Sequence, residues 1–208
     1  MSVISLNIRS LRKHFEDVKA HHSLVANDVI CLQETWLEKG IENCHNFGLP
    51  NKSSTFASGG PGKGVAIFFS DQFQPIATIV EEHYTLAAVR SEKMVIVNIY
   101  RSNDTQDHGL NARLVQLLDE NIHQEAILVV GDLNFCERSN SSHTVRQALL
   151  RENFQSLLDP PFASHMDGRC LDQAYLRRVE NSNLILSAHV GTCSYSDHDP
   201  VIVEVFET

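Results

Sequence analysis

Ala126-Ile127-Leu128-Val129-Val130-Gly131-Asp132-Leu133-Asn134 is a wholly apolar run that stops on a glycine, an acid and an amide. It has strand length and lacks polar alternation, so it reads as a strand covered on both faces. Gly131 permits close packing or an unusual backbone at its end. Period two then sets Asp132 and Asn134 on the same face across Leu133. Asp and Asn also favour ordinary turns, so this segment gains its weight from a counterpart. Asp28-Val29-Ile30-Cys31-Leu32 is a second apolar run of strand length, and it stops at Gln33-Glu34. Two buried strands that both deliver carboxylates to their ends imply a rigid sheet with a polar rim.

Working outward, Val3 to Leu6 reads as a strand ending at Asn7, and Leu11 to Ala26 carries helical spacing. Thr35 to Lys63 reads as a polar surface loop containing Gly59-Gly60-Pro61-Gly62. Gly64 to Ser70, Gln74 to Val80, Thr85 to Arg90 and Met94 to Tyr100 read as four strands of an antiparallel meander. Leu110, Leu114, Leu117, Leu118 and Ile122 mark an amphipathic helix over Gly109 to His123. Thr144 to Phe154 reads as a helix, and Cys170 to Leu176, Asn183 to His189 and Val201 to Phe206 as strands. This order predicts an α/β fold of two face-packed mixed sheets with helices on both outer faces.

The 208 residues suit one domain spanning 1–208, and an apolar fraction of 42% with 21% charged residues is ordinary for a globular chain. No window approaches the apolar length of a membrane span. Met1 to Leu6 lacks the features of a secretory signal, so the expectation is an intracellular protein, nuclear in a eukaryote and not secreted. Five cysteines, Cys31, Cys44, Cys136, Cys170 and Cys193, lack zinc-site spacing and read as reduced. The net charge of −9 counts modestly against nucleic acid. Against that, Arg9, Arg12, Arg101, Arg138, Arg169, Arg177 and Arg178 fall near the polar motifs, which leaves room for a basic rim around an acidic centre.

Two further segments join the carboxylates. Ser196-Asp197-His198-Asp199-Pro200 leads into the closing strand, because Pro200 drives Asp199 towards extended geometry. By itself it could be a surface turn. Asp172 interrupts an apolar strand in Leu171-Asp172-Gln173, and a buried carboxylate needs a partner, for which an imidazole is natural. Glu34 alone reads as an exposed carboxylate or a cap. Taken together, these groups gather hard oxygen ligands, amides and an imidazole, as a divalent metal, a water and a phosphate require.

Asn7, Gln33-Glu34-Thr35, Val97-Asn98-Ile99-Tyr100, Gly131-Asp132-Leu133-Asn134, Leu171-Asp172-Gln173 and Ser196-Asp197-His198-Asp199-Pro200 together resemble the endonuclease/exonuclease/phosphatase superfamily over nearly the whole chain. Gln33-Glu34-Thr35 and Ser5 to Ser10 are most similar to apurinic-type endonuclease domains of non-long-terminal-repeat retrotransposons. The resemblance implies a deoxyribonuclease I-like four-layer α/β sandwich. It implies a DNA endonuclease that nicks one strand, leaving 3′-hydroxyl and 5′-phosphate ends, as a monomer or beside other domains of a mobile-element polyprotein. Glu34 and Asp197 would hold Mg²⁺, or Mn²⁺ in its place. Asn7 and Asn134 would hold the scissile phosphate, Asp132 would orient or deprotonate water, and Tyr100 would contact the phosphate or the departing oxygen. Arg9 and Ser196 are further candidates for substrate contact. His198 would hydrogen-bond the phosphate, with Asp172 fixing its tautomer.

Three departures stand out. Arg9 occupies a position where many relatives carry an acid. The segment from Leu158 to Cys170 is short, and Gly131 to Ser142 lacks a tryptophan. A rival reading keeps the chemistry and changes the substrate to inositol phosphates, phospholipid, RNA or tyrosyl-DNA adducts. A second rival, a non-catalytic binding scaffold, fits poorly with the complete set Asn7, Glu34, Asp132, Asn134, Asp172 and His198.

Overall fold

The computed structural model describes residues 1–40, 47–103, 106, 109–136, 143–158 and 162–208. Two six-stranded sheets pack face to face. The first runs β11 (Leu184–Val190), β12 (Val201–Glu207), β1 (Ser2–Asn7), β2 (Val29–Gln33), β4 (Val65–Phe69), β3 (Ser53–Ala57). The second runs β5 (Gln74–Val80), β6 (Tyr84–Arg90), β7 (Met94–Arg101), β8 (Ala126–Asp132), β10 (Asp172–Arg178), β9 (Gln155–Ser156). Each sheet is centred on a parallel pair, β1 with β2 and β7 with β8. Parallel strands need a crossover, and helices supply it: α1 (Leu11–Ala20) and α2 (His22–Val25) in the first sheet, α3 (Leu110–Glu120) in the second. A last helix, α4 (Thr144–Arg151), joins α3 on the second sheet's outer face.

Period-two alternation sorts the side chains into three apolar layers. Val3, Val29, Cys31, Ile96, Leu128 and Val130 meet between the sheets. Ile4, Leu6, Ile30 and Leu32 face Leu11, Phe15, Val18 and Leu24 of the helices. Val95, Val97 and Ile99 face Leu110, Leu114 and Leu149. The layers are those of the expected four-layer α/β sandwich.

The same alternation carries polar groups to one end of the inner layer. Val3 and Ser5 lead to Asn7, Val29 and Cys31 to Gln33, Ile96 and Asn98 to Tyr100, and Leu128 and Val130 to Asp132. Asn98 and Gln33 close the gap beneath that end. Gln33 Nε2 donates to Asn98 Oδ1 at 2.6 Å and to Ser5 Oγ at 3.0 Å, and Asn98 Nδ2 donates to the carbonyls of Leu32 and Ala66. These fully buried amides offset their desolvation by bonding across the two sheets.

Several expectations need correction. Val65–Phe69 does not join the meander; it pairs with β2 in the first sheet, and only β5, β6 and β7 meander in the second. The presumed loop from Thr35 to Lys63 contains β3, whose half-exposed residues gave no apolar signal. The helix from Leu11 breaks at His21, whose φ of −80° and ψ of 81° are not helical. Ile122 lies beyond α3 and is exposed. Cys31, Cys136, Cys170 and Cys193 form no disulfide, in line with the reduced reading, and Cys44 lies outside the described residues.

Candidate active site

Glu34 does not continue the alternation of β2. Its φ of 50° turns the chain as it leaves the strand, and Arg9, Ser10, Trp36 and Asn134 also have positive φ. Non-glycine residues rarely adopt this region, and such strain persists only where surrounding contacts fix it. Here the contacts are a lattice of main-chain bonds: Ser10 N–H to Glu34 O at 2.8 Å, Leu11 N–H to Thr35 O at 2.9 Å and Thr35 N–H to Gly64 O at 3.1 Å. The strand ends β1, β2 and β4 are thereby locked to one another.

Asn7 joins the two sheets at this rim. Its Nδ2 donates to Glu34 Oε1 and to Asp132 Oδ2, each at 2.9 Å. Glu34 Oε2 accepts from the indole of half-exposed Trp36 at 3.0 Å. Asp132 Oδ1 accepts the Asn134 N–H at 2.9 Å. Asn134 therefore does not share a strand face with Asp132 as period two implied. β8 ends at Asp132, and the left-handed turn at Asn134 sends its amide to the Arg101 carbonyl at 2.7 Å. Gly131, with φ 136°, is required for a related reason: a Cβ there would lie 1.9 Å from Ile99 O on the paired strand.

Opposite, His198 Nδ1 lies 2.7 Å from Asp172 Oδ2, with both side chains buried. Asp172 sits on β10 directly across from Asp132. Asp132, Asp172 and His198 each present a donor atom within 4.8 Å of the others. Ser164 Oγ accepts the N–H groups of Leu171 and Asp172, and Ser196 Oγ accepts the His198 N–H and donates to Asn7 O at 2.6 Å. Ser196 thus braces the loop against β1.

Electrostatics divides these groups. Burial raises the Asp132 pKa, the neighbouring Asp172 charge adds to it, and His198, Asn7 and the Asn134 N–H only partly oppose them. Burial disfavours the His198 imidazolium, but its bond to Asp172 and the charges of Asp172, Asp132 and Asp197 outweigh this and lift its pKa to about 9. Tyr100 is held neutral, chiefly by burial and then by the charges of Glu34 and Asp132. Burial also pushes the Asp197 carboxyl up, yet its bond to Arg9 more than offsets this, and the net shift is downward.

Arg9 lies between two carboxylates. Its Nη1 is hydrogen-bonded to Asp197 Oδ2, and its Nε is 4.0 Å from Glu34 Oε2. Asp197 Oδ1 is buried without a hydrogen-bond partner among the described residues. Hard carboxylate oxygens at Glu34 and Asp197, one of them orphaned, fit Mg²⁺ or Mn²⁺.

The sequence did not single out His165. Its segment bridges antiparallel to His198, its ring meets the His198 ring edge-on at 4.7 Å between centroids, and its Nε2 is 3.5 Å from Asp197 Oδ2. The available signal was Ser164-His165 just before the turn at Asp167-Gly168.

Among the described residues, not all of the arginines that fall near the polar motifs in sequence lie at the rim. Arg101 is buried, donating to Leu133 O and Gln106 O and contacting His143 Nε2 at 2.8 Å, so it braces the loop behind Asp132. Arg177 and Arg178 pair with Ile127 and Ala126, at the end of the sheet remote from Asp132. Arg138 lies outside the described residues. Arg169 is near the rim but bonded to Asp167, and Arg12 is exposed on the first turn of α1.

Solved structures share this fold. The 3′ phosphatase NExo from Neisseria, bound to a product DNA hairpin, is 17% identical with a TM-score of 0.72, covering 98% of each chain. The APE2 catalytic domain of Xenopus laevis is 17% identical with a TM-score of 0.68, covering 99% of this chain and 91% of the other. Truncated TDP2 of Caenorhabditis elegans is 15% identical with a TM-score of 0.64, covering 100% of this chain and 97% of the other. At these identities the likeness is one of fold. No curated protein matches the sequence. The family profile reaches further than these pairwise identities: it matches residues 4–198, and on that match the chain belongs to the Endonuclease/Exonuclease/phosphatase family.

Proposed function

We propose that this protein is a divalent-metal-dependent phosphodiesterase that nicks one strand of DNA, leaving 3′-hydroxyl and 5′-phosphate ends. The observation that carries this reading is the meeting of Asn7, Glu34, Asp132, Asp172 and His198 at one rim through the Asn7 bridge and the Asp172–His198 pair. Glu34 and Asp197 would hold the metal, whose positive charge would offset the negative charge building up on the phosphate oxygens. Asp132, whose proton affinity burial has raised, takes a proton from the attacking water. His198, kept cationic by Asp172, donates through its other ring nitrogen to a non-bridging phosphate oxygen, and Asn7 keeps Asp132 and Glu34 in register. As the water oxygen bonds phosphorus, the bond to the 3′ oxygen breaks in line. The neutral Tyr100 phenol would donate a hydrogen bond to that oxygen, which takes its proton from solvent.

DNA as substrate is supported by the fold neighbours, whose descriptions include a DNA-bound 3′ phosphatase and a 3′-5′ exonuclease. Target-site cleavage for a mobile element is the narrower form of this reading, carried by the Gln33-Glu34-Thr35 resemblance. A second reading, hydrolysis of a small phosphate ester, is favoured by the burial of the Arg101 guanidinium against Leu133 O and by the location of Arg177 and Arg178 away from the rim. Supercoiled plasmid incubated with Mg²⁺ or Mn²⁺ distinguishes them. Conversion to open circle, blocked by chelator and yielding ends a polymerase extends directly, is expected. Inositol phosphate hydrolysis with intact plasmid would establish the second reading.

A further inference from the structure

The guanidinium of Arg9 spans the two carboxylates assigned above to the metal. Its placement is built into the turn that follows β1. Arg9 and Ser10 have φ of 47° and 103°, the Arg9 N–H donates to Asn7 Oδ1 at 3.2 Å, and Ser10 N–H holds Glu34 O. The turn that aims Arg9 is therefore tied to the same Asn7 and Glu34 that organise the rim. Half of the Arg9 side chain is open to solvent, so its head can leave without unpacking the core.

We propose that Arg9 is a tethered cation that neutralises Glu34 and Asp197 in the metal-free protein and exchanges with the divalent ion. This rests on the assignment of Glu34 and Asp197 as metal ligands. A guanidinium and a divalent cation cannot share the Asp197 Oδ2 position, and their charges repel at such range. The buried, unpartnered Oδ1 of the same carboxylate offers the ion a first foothold while Oδ2 is still held by Arg9. Completion of binding then releases the guanidinium at the open edge of the rim, where a phosphate of the substrate is the natural counter-ion. Metal binding is weakened by the arginine it displaces, and an arriving phosphate that captures the freed guanidinium strengthens it.

The test is Mn²⁺ binding to the chelator-stripped full chain without substrate, measured by calorimetry and by electron paramagnetic resonance of free Mn²⁺. Arg9→Ala and Arg9→Gln are expected to bind Mn²⁺ at least tenfold more tightly than the wild type, and to melt at a lower temperature than it in chelator. Arg9→Lys, which keeps the charge, should remain within about threefold of wild type. Equal or weaker Mn²⁺ binding by both neutral variants would overturn the exchange. Glu34→Gln separates this from failure of the metal assignment: unchanged Mn²⁺ binding in that variant would remove Glu34 from the metal site. Absence of Mn²⁺ binding in the wild type and both neutral variants would overturn both ideas together.

Discussion

The two corners of the rim hold similar residues in opposite environments. Glu34, Asp197 and Arg9 form a partly exposed corner in which carboxylates are paired with a cation and Asp197 is held ionised. Asp132, Asp172 and His198 form a buried corner in which burial and a neighbouring charge raise the proton affinity of Asp132 while Asp172 stabilises the imidazolium. Residue type is thus not what divides the work. Solvent exposure and the nearest charge pair one set of carboxylates with a cation and raise the proton affinity of Asp132 in the other, the division that the proposed mechanism uses. Asn7 is the hinge between them, with one amide nitrogen bonded to a carboxylate of each corner.

The largest effects should come from breaking the buried corner. Asp132→Asn and His198→Ala are each expected to lower the nicking rate by ~10²- to 10⁴-fold, the range of a general acid or base. Asp132→Asn should melt near wild type, since it removes a charge that is costly in its buried place. His198→Ala should melt lower, because it leaves buried Asp172 without its imidazole. Wild-type nicking rates would take these residues out of the mechanism. Asp172→Asn should cost less, on the order of 10-fold to 10²-fold, because His198 keeps its place but loses the partner that charges it. A downfield ring-proton resonance present in the wild type and lost in this variant would report that change; a rate unaffected by the substitution would show that the pair is only structural.

Beneath both corners the Gln33–Asn98 bridge should matter for stability more than for chemistry. Asn98→Leu removes a buried amide that donates to two carbonyls and accepts from Gln33. The Leu32 and Ala66 carbonyls each lose a donor, while Gln33 keeps its bonds to Ser5 Oγ and Cys31 O. Each stranded carbonyl costs about 1–3 kcal/mol, so a loss of at least ~2 kcal/mol is expected by chemical denaturation. A midpoint unchanged from wild type would show that the sheets are not pinned there.

Much of this arrangement was legible in the sequence because strands obey a period of two. The alternation through Val3, Ser5 and Asn7, and through Leu128, Val130 and Asp132, both marks the core and aims the polar ends. What escaped was non-local or irregular. The antiparallel order of four strands does not say that Val65–Phe69 pairs with β2 in the other sheet. Half-exposed β3 carries no apolar signature. The positive φ values at Glu34 and Asn134 are held by tertiary contacts, so no local propensity predicts them. Arg101 lies beside Tyr100 in sequence, which says nothing of its burial, and its guanidinium is spent on the Leu133 carbonyl rather than on a basic rim. His165 reaches His198 only through a bridge between distant loops.

The arginine distribution sharpens the comparison between the corners, and it predicts the smallest effect. A DNA-binding rim ringed by all of these arginines would show a steep salt dependence, but Arg9 and Arg169, the two at the rim among the described residues, are both ion-paired with aspartates. Each phosphate contact contributes a slope of about −0.9 in log affinity against log salt, so two contacts give a slope near about −2. Arg9→Ala should then weaken duplex binding at low salt and flatten that slope by roughly one unit. The measurement is fluorescence anisotropy of a labelled duplex over a salt series in the presence of Ca²⁺. A much steeper wild-type slope would place further phosphate contacts on the protein. A slope that Arg9→Ala leaves untouched would confine Arg9 to the metal corner, so that its cation serves Glu34 and Asp197 and never the backbone of the substrate.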